Sequence, residues 1–427
     1  MSETQQRPMG FWSVWALTAG CMIGSGIFLL PTVLAPYGLF ALAGWLVTGL
    51  GAVCIALVLG RLAVRSKRSG GTAVFVKDAL GAFPGFIAGW SLWISLVISV
   101  PAISMAFAGY AGGLLPVLAS SIYIQILTAL GLVCVLTSIA LKGVEETAAV
   151  TVVLTVLKLV PLLLVCVLAL WSQSSTNLPD FRVPGARALN ALAETALLTM
   201  WAFVGVESGV VSTDSVRNPE KNVPRGVIAG VLTATLVYIA VTVSTLALVP
   251  TSELVQSEAP LIDATATLGK SGSVLVGLGA MVATGGSLLA VLFVLGFLAF
   301  GMAREGIAPN FIAVLNKNGA PQNALLLGAS LGALLLSLSA SDGLVDAFKF
   351  LLMMSTATSL LPYLLCAIAE LKQSRRSAFG WVLLSAVAAC YSLFALIGSG
   401  AEVLLWGLVM LVLGVPIYLS GPRTENR

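Results

Sequence analysis

Apolar residues fall along the chain in blocks of twenty or so, interrupted by short polar clusters. A bilayer core is about 30 Å thick and is crossed by about 20 helical residues. Twelve blocks meet that length, at about 11–35, 39–63, 84–115, 121–141, 147–171, 190–213, 224–249, 272–302, 323–341, 345–369, 378–398 and 402–420. The third and eighth are long enough to imply tilt. No ten-residue alternation of apolar and polar positions recurs, which excludes a transmembrane barrel. The opening MSETQQRPMGFW reads as a short cytoplasmic tail, not a signal peptide, because the apolar run is too long and no small-residue cleavage site follows it.

Loop charges set the expected orientation. One set of alternating loops, with both tails, holds seventeen Lys and Arg, whereas the other holds four: Arg182, Arg187, Lys270 and Lys349. The positive-inside bias then places both termini in the cytoplasm and supports an even number of spans. The remaining cation, Lys158, falls inside a span.

Composition agrees. The 427 residues are 58% hydrophobic and 9% charged, against about 25% charged in soluble proteins. A cytosolic enzyme, a nucleic-acid binder and a secreted disulfide scaffold are excluded, and the net charge of +4 suggests no polyanionic partner. There is no histidine, which removes imidazole catalysis and histidine metal ligation. Cys21, Cys54, Cys134, Cys166, Cys366 and Cys390 lie in apolar runs without CxxC spacing and read as small packed hydrophobes. No cofactor site and no enzyme chemistry is expected, and the lipid bilayer is the main partner. The longest connection, Trp171 to about Asn190, is too short for a soluble domain. Function must therefore lie in the bundle or at its mouths.

Two spans carry glycine interruptions near their middles: Gly20-Cys21-Met22-Ile23-Gly24-Ser25-Gly26 in the first and Gly205-Val206-Glu207-Ser208-Gly209 in the sixth. In hydrocarbon every peptide group needs an internal partner, so helices break where the break lines a cavity. A break bares N–H groups that attract a carboxylate and carbonyls that attract a cation. A zwitterionic amino acid suits such a pair. Close helix packing through small residues is the bland alternative.

Two charges stand out against their surroundings. Glu207 lies in an apolar stretch, where a carboxylate costs about 3 kcal/mol to insert. It is expected to take up and release a proton beside the substrate, or else to cap the broken helix as a neutral acid. Lys158 is flanked by at least ten apolar residues on each side. Its ammonium is expected to reach the carbonyls freed by the first break and the hydroxyls of Thr284 and Ser287 in span eight, tying those spans together as a bound sodium ion would. Trp201 precedes the sixth-span break by four residues, so one helical turn places it over the site. Of the other tryptophans, Trp12, Trp15, Trp45, Trp90, Trp93, Trp171, Trp381 and Trp406 mostly fall at expected interfaces.

The segments Gly24-Ser25-Gly26-Ile27-Phe28-Leu29-Leu30-Pro31 and Ser69-Gly70-Gly71, and above all WAFVGVESG (201–209) with NPEKNVPRG (218–226), resemble the amino acid–polyamine–organocation (APC) superfamily. Within it the chain is similar to the bacterial basic amino acid/polyamine antiporters of the arginine/agmatine type. The resemblance covers nearly the whole chain, including Leu-Pro-Tyr at 361–363 and Gly-Ser-Gly-Ala-Glu at 398–402. It implies an all-α integral membrane fold of twelve transmembrane helices in a five-plus-five inverted repeat, the LeuT-like APC fold, with helices 1 and 6 discontinuous. The chain would be one transporter domain over 1–427. Repeat one would span about 11–171 and repeat two about 190–369. Two extra helices at about 378–420 are of the kind that often contribute to homodimers.

By position the resemblance places Ile23, Gly24, Ser25 and Gly26 at the substrate carboxylate. It places Trp201, Val204 and Gly205 in the site lining, with Glu207 as its pH-sensitive carboxylate. The family's arginine exchangers hold the guanidinium against a tryptophan on helix eight and an asparagine on helix three. Here Val291 and Val100 stand there, with Ile103 also apolar. The Lys158-Leu-Val-Pro segment is similar to that of sodium-independent permeases of neutral amino acids. The expected function is therefore secondary amino-acid transport by alternating access in a bacterial inner membrane, by sodium-independent exchange or proton coupling. Neutral or broad-range L-amino acids are the first expected substrates. A cationic amino acid/polyamine antiporter is the alternative.

Overall fold

A computed structural model of the chain describes residues 10–66, 71–142, 148–172, 178–179, 181, 187–207, 216–339, 343–374 and 379–420, with backbone alone at Ser25, 148–157 and Ser420. Among the described residues no β-strand forms. The principal helices are α1 (Phe11–Met22), α2 (Ser25–Leu34), α3 (Ala41–Ser66), α4 (Gly71–Leu80), α5 (Ala82–Leu114), α6 (Ile122–Ala140) and α7 (Ala148–Ser172). They continue as α8 (Ala188–Met200), α9 (Pro219–Leu248), α10 (Gly269–Arg304), α11 (Gln322–Leu338), α12 (Leu344–Ser374), α13 (Phe379–Ile397) and α14 (Gly400–Ser420). Among the described residues, eight helical stretches are long and apolar enough to cross a membrane. Four shorter apolar helices accompany them, at Phe11–Met22, Lys158–Ser172, Ala188–Phe203 and Gln322–Leu338. The chain is thus a multi-pass membrane protein.

Burial sorts the helices. α5 is apolar all round and buried along almost its whole length, as a central helix must be. α10 and α12 lie against it, with α2, α4, α6, α11 and α14 completing its surround. α14 is almost wholly uncovered. α1 packs on α9, where Gly226 and Gly230 admit Val14 and Thr18: a methyl group at either glycine would come within 2.7 Å of them. At one end Glu370 of α12 is fully buried between Arg61 and Arg65 of α3, at 3.2 and 2.7 Å, and the Arg61 guanidinium stacks 4.2 Å from the Trp381 ring centre. Trp45 is fully buried against protein, and its indole N–H donates to Thr242 at 3.0 Å.

Both glycine clusters interrupt their helices. α1 stops at Met22, Ile23 and Gly24 leave the helical region, and α2 restarts at Ser25. α8 ends at Met200 and tightens into a single turn at Trp201–Phe203. Val204 is then extended, and Gly205 takes φ +104°, a left-handed conformation strained for any other residue. Ser208 and Gly209, the rest of that second cluster, lie outside the described residues, as do Ser69 and Gly70.

Candidate functional site

The two breaks meet. A methyl group at Gly26 would lie 2.9 Å from Trp201 Cδ1 and 3.2 Å from Ala202 Cα, and one at Gly205 would lie 3.3 Å from Cys21 Cβ. Gly24 in turn lies against Ser287 of α10, where a side chain would overlap the Ser287 hydroxyl. Only bare backbone lets three elements come this close. Around the junction is a cavity of about 420 Å³, walled by the breaks, α5, α7 and α10.

Most expected site residues line it: Gly24, Gly26, Ile103, Trp201, Val204, Gly205, Val291, Glu207, Lys158 and Ser287. Glu207 is held from two sides. Its Oε2 accepts the Gly205 N–H at 3.2 Å and the Tyr363 hydroxyl at 2.7 Å, which joins the α8 break to α12. Lys158 Nζ donates to the Gly20 carbonyl in the last turn of α1 at 3.4 Å. The break in α1 therefore offers a carbonyl to this ammonium, and the start of α2 offers backbone N–H groups with no side-chain cap. Trp201, 6% exposed, closes over Gly26.

Three expected residues lie elsewhere. Val100 is fully buried and faces Gly332 of α11, because α5 presents Leu96, Ser99 and Ile103 to the cavity and position 100 is one residue out of that phase. Ile23 is also fully buried, packed into the core where the backbone leaves the helix at the break. Thr284 is fully buried, donates its hydroxyl to Ala280 of its own helix at 2.8 Å and does not line the cavity. The Ser25 side chain lies outside the described residues, although its backbone opens α2. Ser99, Leu96, Tyr363 and Cys21 belong to the site and were not expected there. The spacing of 96, 99 and 103 is the sequence signal that could have found the first two. Cys21 is exposed to the cavity instead of packed.

Broken helices meeting at a mid-bundle cavity, with one carboxylate and one ammonium on its wall, define a membrane permease. The chain belongs to the amino acid permease family of the APC superfamily, whose model matches residues 9–420. Its similarities fall among the basic amino acid/polyamine antiporters. It is 30% identical to the putrescine transporter PotE of Escherichia coli (strain K12), over 100% of this chain and 99% of that protein. It is 31% identical to a putative arginine/ornithine antiporter of Bacillus subtilis (strain 168), over 98% and 96% of the two chains. It is 30% identical to the cadaverine/lysine antiporter of Escherichia coli (strain K12), over 84% and 82%.

Proposed function

We propose that this protein is an alternating-access antiporter that exchanges primary amines and cationic amino acids with a methylene stem, of the ornithine, lysine or diamine type. The names of the relatives support this class over the neutral amino acids first expected. The apolar wall of the cavity, which suggested a neutral side chain, also suits the stem of ornithine or lysine, and Glu207 suits the amine at its end. Val291 leaves no aromatic face on that stretch of α10 for a guanidinium, so arginine and agmatine are the poorer substrates.

In this scheme the α2 N-terminus receives a substrate carboxylate and Trp201 covers the bound molecule. Glu207 exchanges a proton as the amine arrives and leaves. Lys158 holds α7 to α1 where a sodium ion would otherwise do so. The architecture is twelve spans in two inverted repeats, about 11–171 and 190–369, with two added helices, in a bacterial inner membrane with both termini cytoplasmic. The meeting of the two breaks at one cavity carries the proposal. Counterflow in proteoliposomes tests it: internal unlabelled ornithine or putrescine should accelerate uptake of external labelled ornithine at least tenfold over empty vesicles. Equal uptake into empty vesicles would remove exchange, and preference for leucine over ornithine would restore the neutral class.

A further inference from the structure

Ile103 of α5 lines the cavity, and Tyr110 stands two turns further along the same face of that helix, about 10 Å beyond. Tyr110 is fully buried, and its ring meets that of Phe28 on α2 edge-on, with 5.9 Å between the ring centres. Its hydroxyl is used twice. It donates to the Phe28 carbonyl at 2.6 Å, which leaves its oxygen free to accept the Leu261 N–H at 3.3 Å. Leu261 belongs to the segment between α9 and α10, and bare backbone on two helices receives that segment. A methyl group at Gly109 of α5 would lie 2.5 Å from the Glu258 carbonyl oxygen. One at Gly113 of α5 or Gly277 of α10 would lie 2.9 or 3.0 Å from Ile262 Cδ1. The Thr32 hydroxyl of α2 adds a bond to the Ser257 carbonyl at 2.8 Å, and Gln125 of α6 adds one to the Glu258 side chain. Residues 257–263 are thus seated among α2, α5, α6 and α10 at the end of the bundle where α5 stops, opposite Glu370.

We propose that Tyr110 is a positioning residue of the exchange cycle: its hydroxyl latches residues 257–263 as a plug, and substrate reaches the cavity from this end only when the plug lifts. The inference deepens the exchange reading and rests on it. A cavity that faces each side of the membrane in turn must break whatever seals each end. Here the seal is a short insert held by a few hydrogen bonds and one isoleucine side chain, so it parts without unpacking a long helix. When it lifts, entering water takes over the polar groups it leaves behind. Opening therefore costs no more than ordinary exchanged hydrogen bonds. Phenylalanine at position 110 would leave the Leu261 N–H and the Phe28 carbonyl without the hydroxyl in the sealed state, while the open state hydrates both. The equilibrium then moves toward the open state.

Cys21, exposed to the cavity, reports the plug without transport, so a failed counterflow experiment and a failed latch are told apart. With the other five cysteines replaced by alanine, the membrane-impermeant reagent trimethylammonioethyl methanethiosulfonate is applied to right-side-out and to inside-out vesicles. Tyr110→Phe should raise the rate of Cys21 labelling by roughly fivefold or more from the face at which α5 ends, and lower it from the other face. Thr32→Val removes a plug bond that does not involve Tyr110 and should move both rates in the same senses. Rates unchanged in Tyr110→Phe, or raised alike on both faces as general loosening would do, would overturn the latch. If Tyr110→Phe yields no folded protein, Thr32→Val decides by the same two rates.

Discussion

In the proposed scheme Glu207 carries the proton, and its two hydrogen bonds give it separable tests. Glu207→Gln keeps the shape and removes the titrating group, so the pH profile of ornithine exchange measured between pH 5 and 8 should become flat. Tyr363→Phe removes only the hydroxyl donor at 2.7 Å. A hydrogen bond to a charged group is worth about 1.5–3 kcal/mol, so exchange should fall by roughly ten- to a hundredfold with the protein still folded. Val291→Trp asks about selectivity. A new aromatic face on the cavity wall should strengthen arginine or agmatine binding by about 0.5–2 kcal/mol relative to ornithine, read as a two- to thirtyfold change in competition. Both buried charges were legible in the sequence because an ionised group in a span is expensive and rare. Tyr363 was not, because a tyrosine in a span costs little and its hydroxyl partner lies 156 residues away.

Among the elements, the two breaks depend on contacts between glycine and its neighbour across the junction. Gly26→Ala places a methyl group 2.9 Å from Trp201 Cδ1 and against the Ala202 backbone, so the segments must part. Overpacking of this kind costs about 1–3 kcal/mol. Exchange should fall at least tenfold while size-exclusion behaviour is kept. Outside the spans, the segment between α9 and α10 carries Glu258, half-buried, whose Oε2 accepts from Gln125 Nε2 of α6 at 2.5 Å. Burial raises its pKa above the usual carboxylate value, against the opposing effect of the Gln125 hydrogen bond. The folded state thus binds this proton more tightly than the unfolded chain, and ionisation above the raised pKa weakens folding. Glu258→Gln should therefore melt higher than the parent at pH 8, and the difference should vanish as pH falls below the unfolded value near 4.5. Melting curves of the detergent-solubilised proteins across that range check it. The helix breaks were readable from glycine clusters, and the rotation of α5 was readable only in part. Its serines at 91, 95 and 99 form a stripe that hydrogen-bonds to α12, and Val100, one residue past that stripe, faces α11. Thr284 on α10 satisfies its hydroxyl within its own helix.

For the molecule as a whole, hydropathy located the helices to within a few residues, because the bilayer demands length and apolarity before anything else. Which helices touch was beyond it, since packing of lipid-like surfaces is decided by small residues far apart in sequence, such as Gly226 with Val14. The ammonium of Lys158 bridging α7 to the end of α1 bears on coupling. On the proposed reading that Lys158 stands where a sodium ion would, replacing sodium by potassium or choline on both sides should leave the exchange rate within about twofold, measured in proteoliposomes; a strong rise with sodium would remove the tie from Lys158. The enclosure of α5 sets a further condition on the transport cycle. A helix packed against α2, α4, α6, α10, α11, α12 and α14 cannot swing without unpacking them all at once. In the proposed cycle the moving parts are those less packed against it, α1 and the end of α8, and α5 is the fixed post against which they tilt.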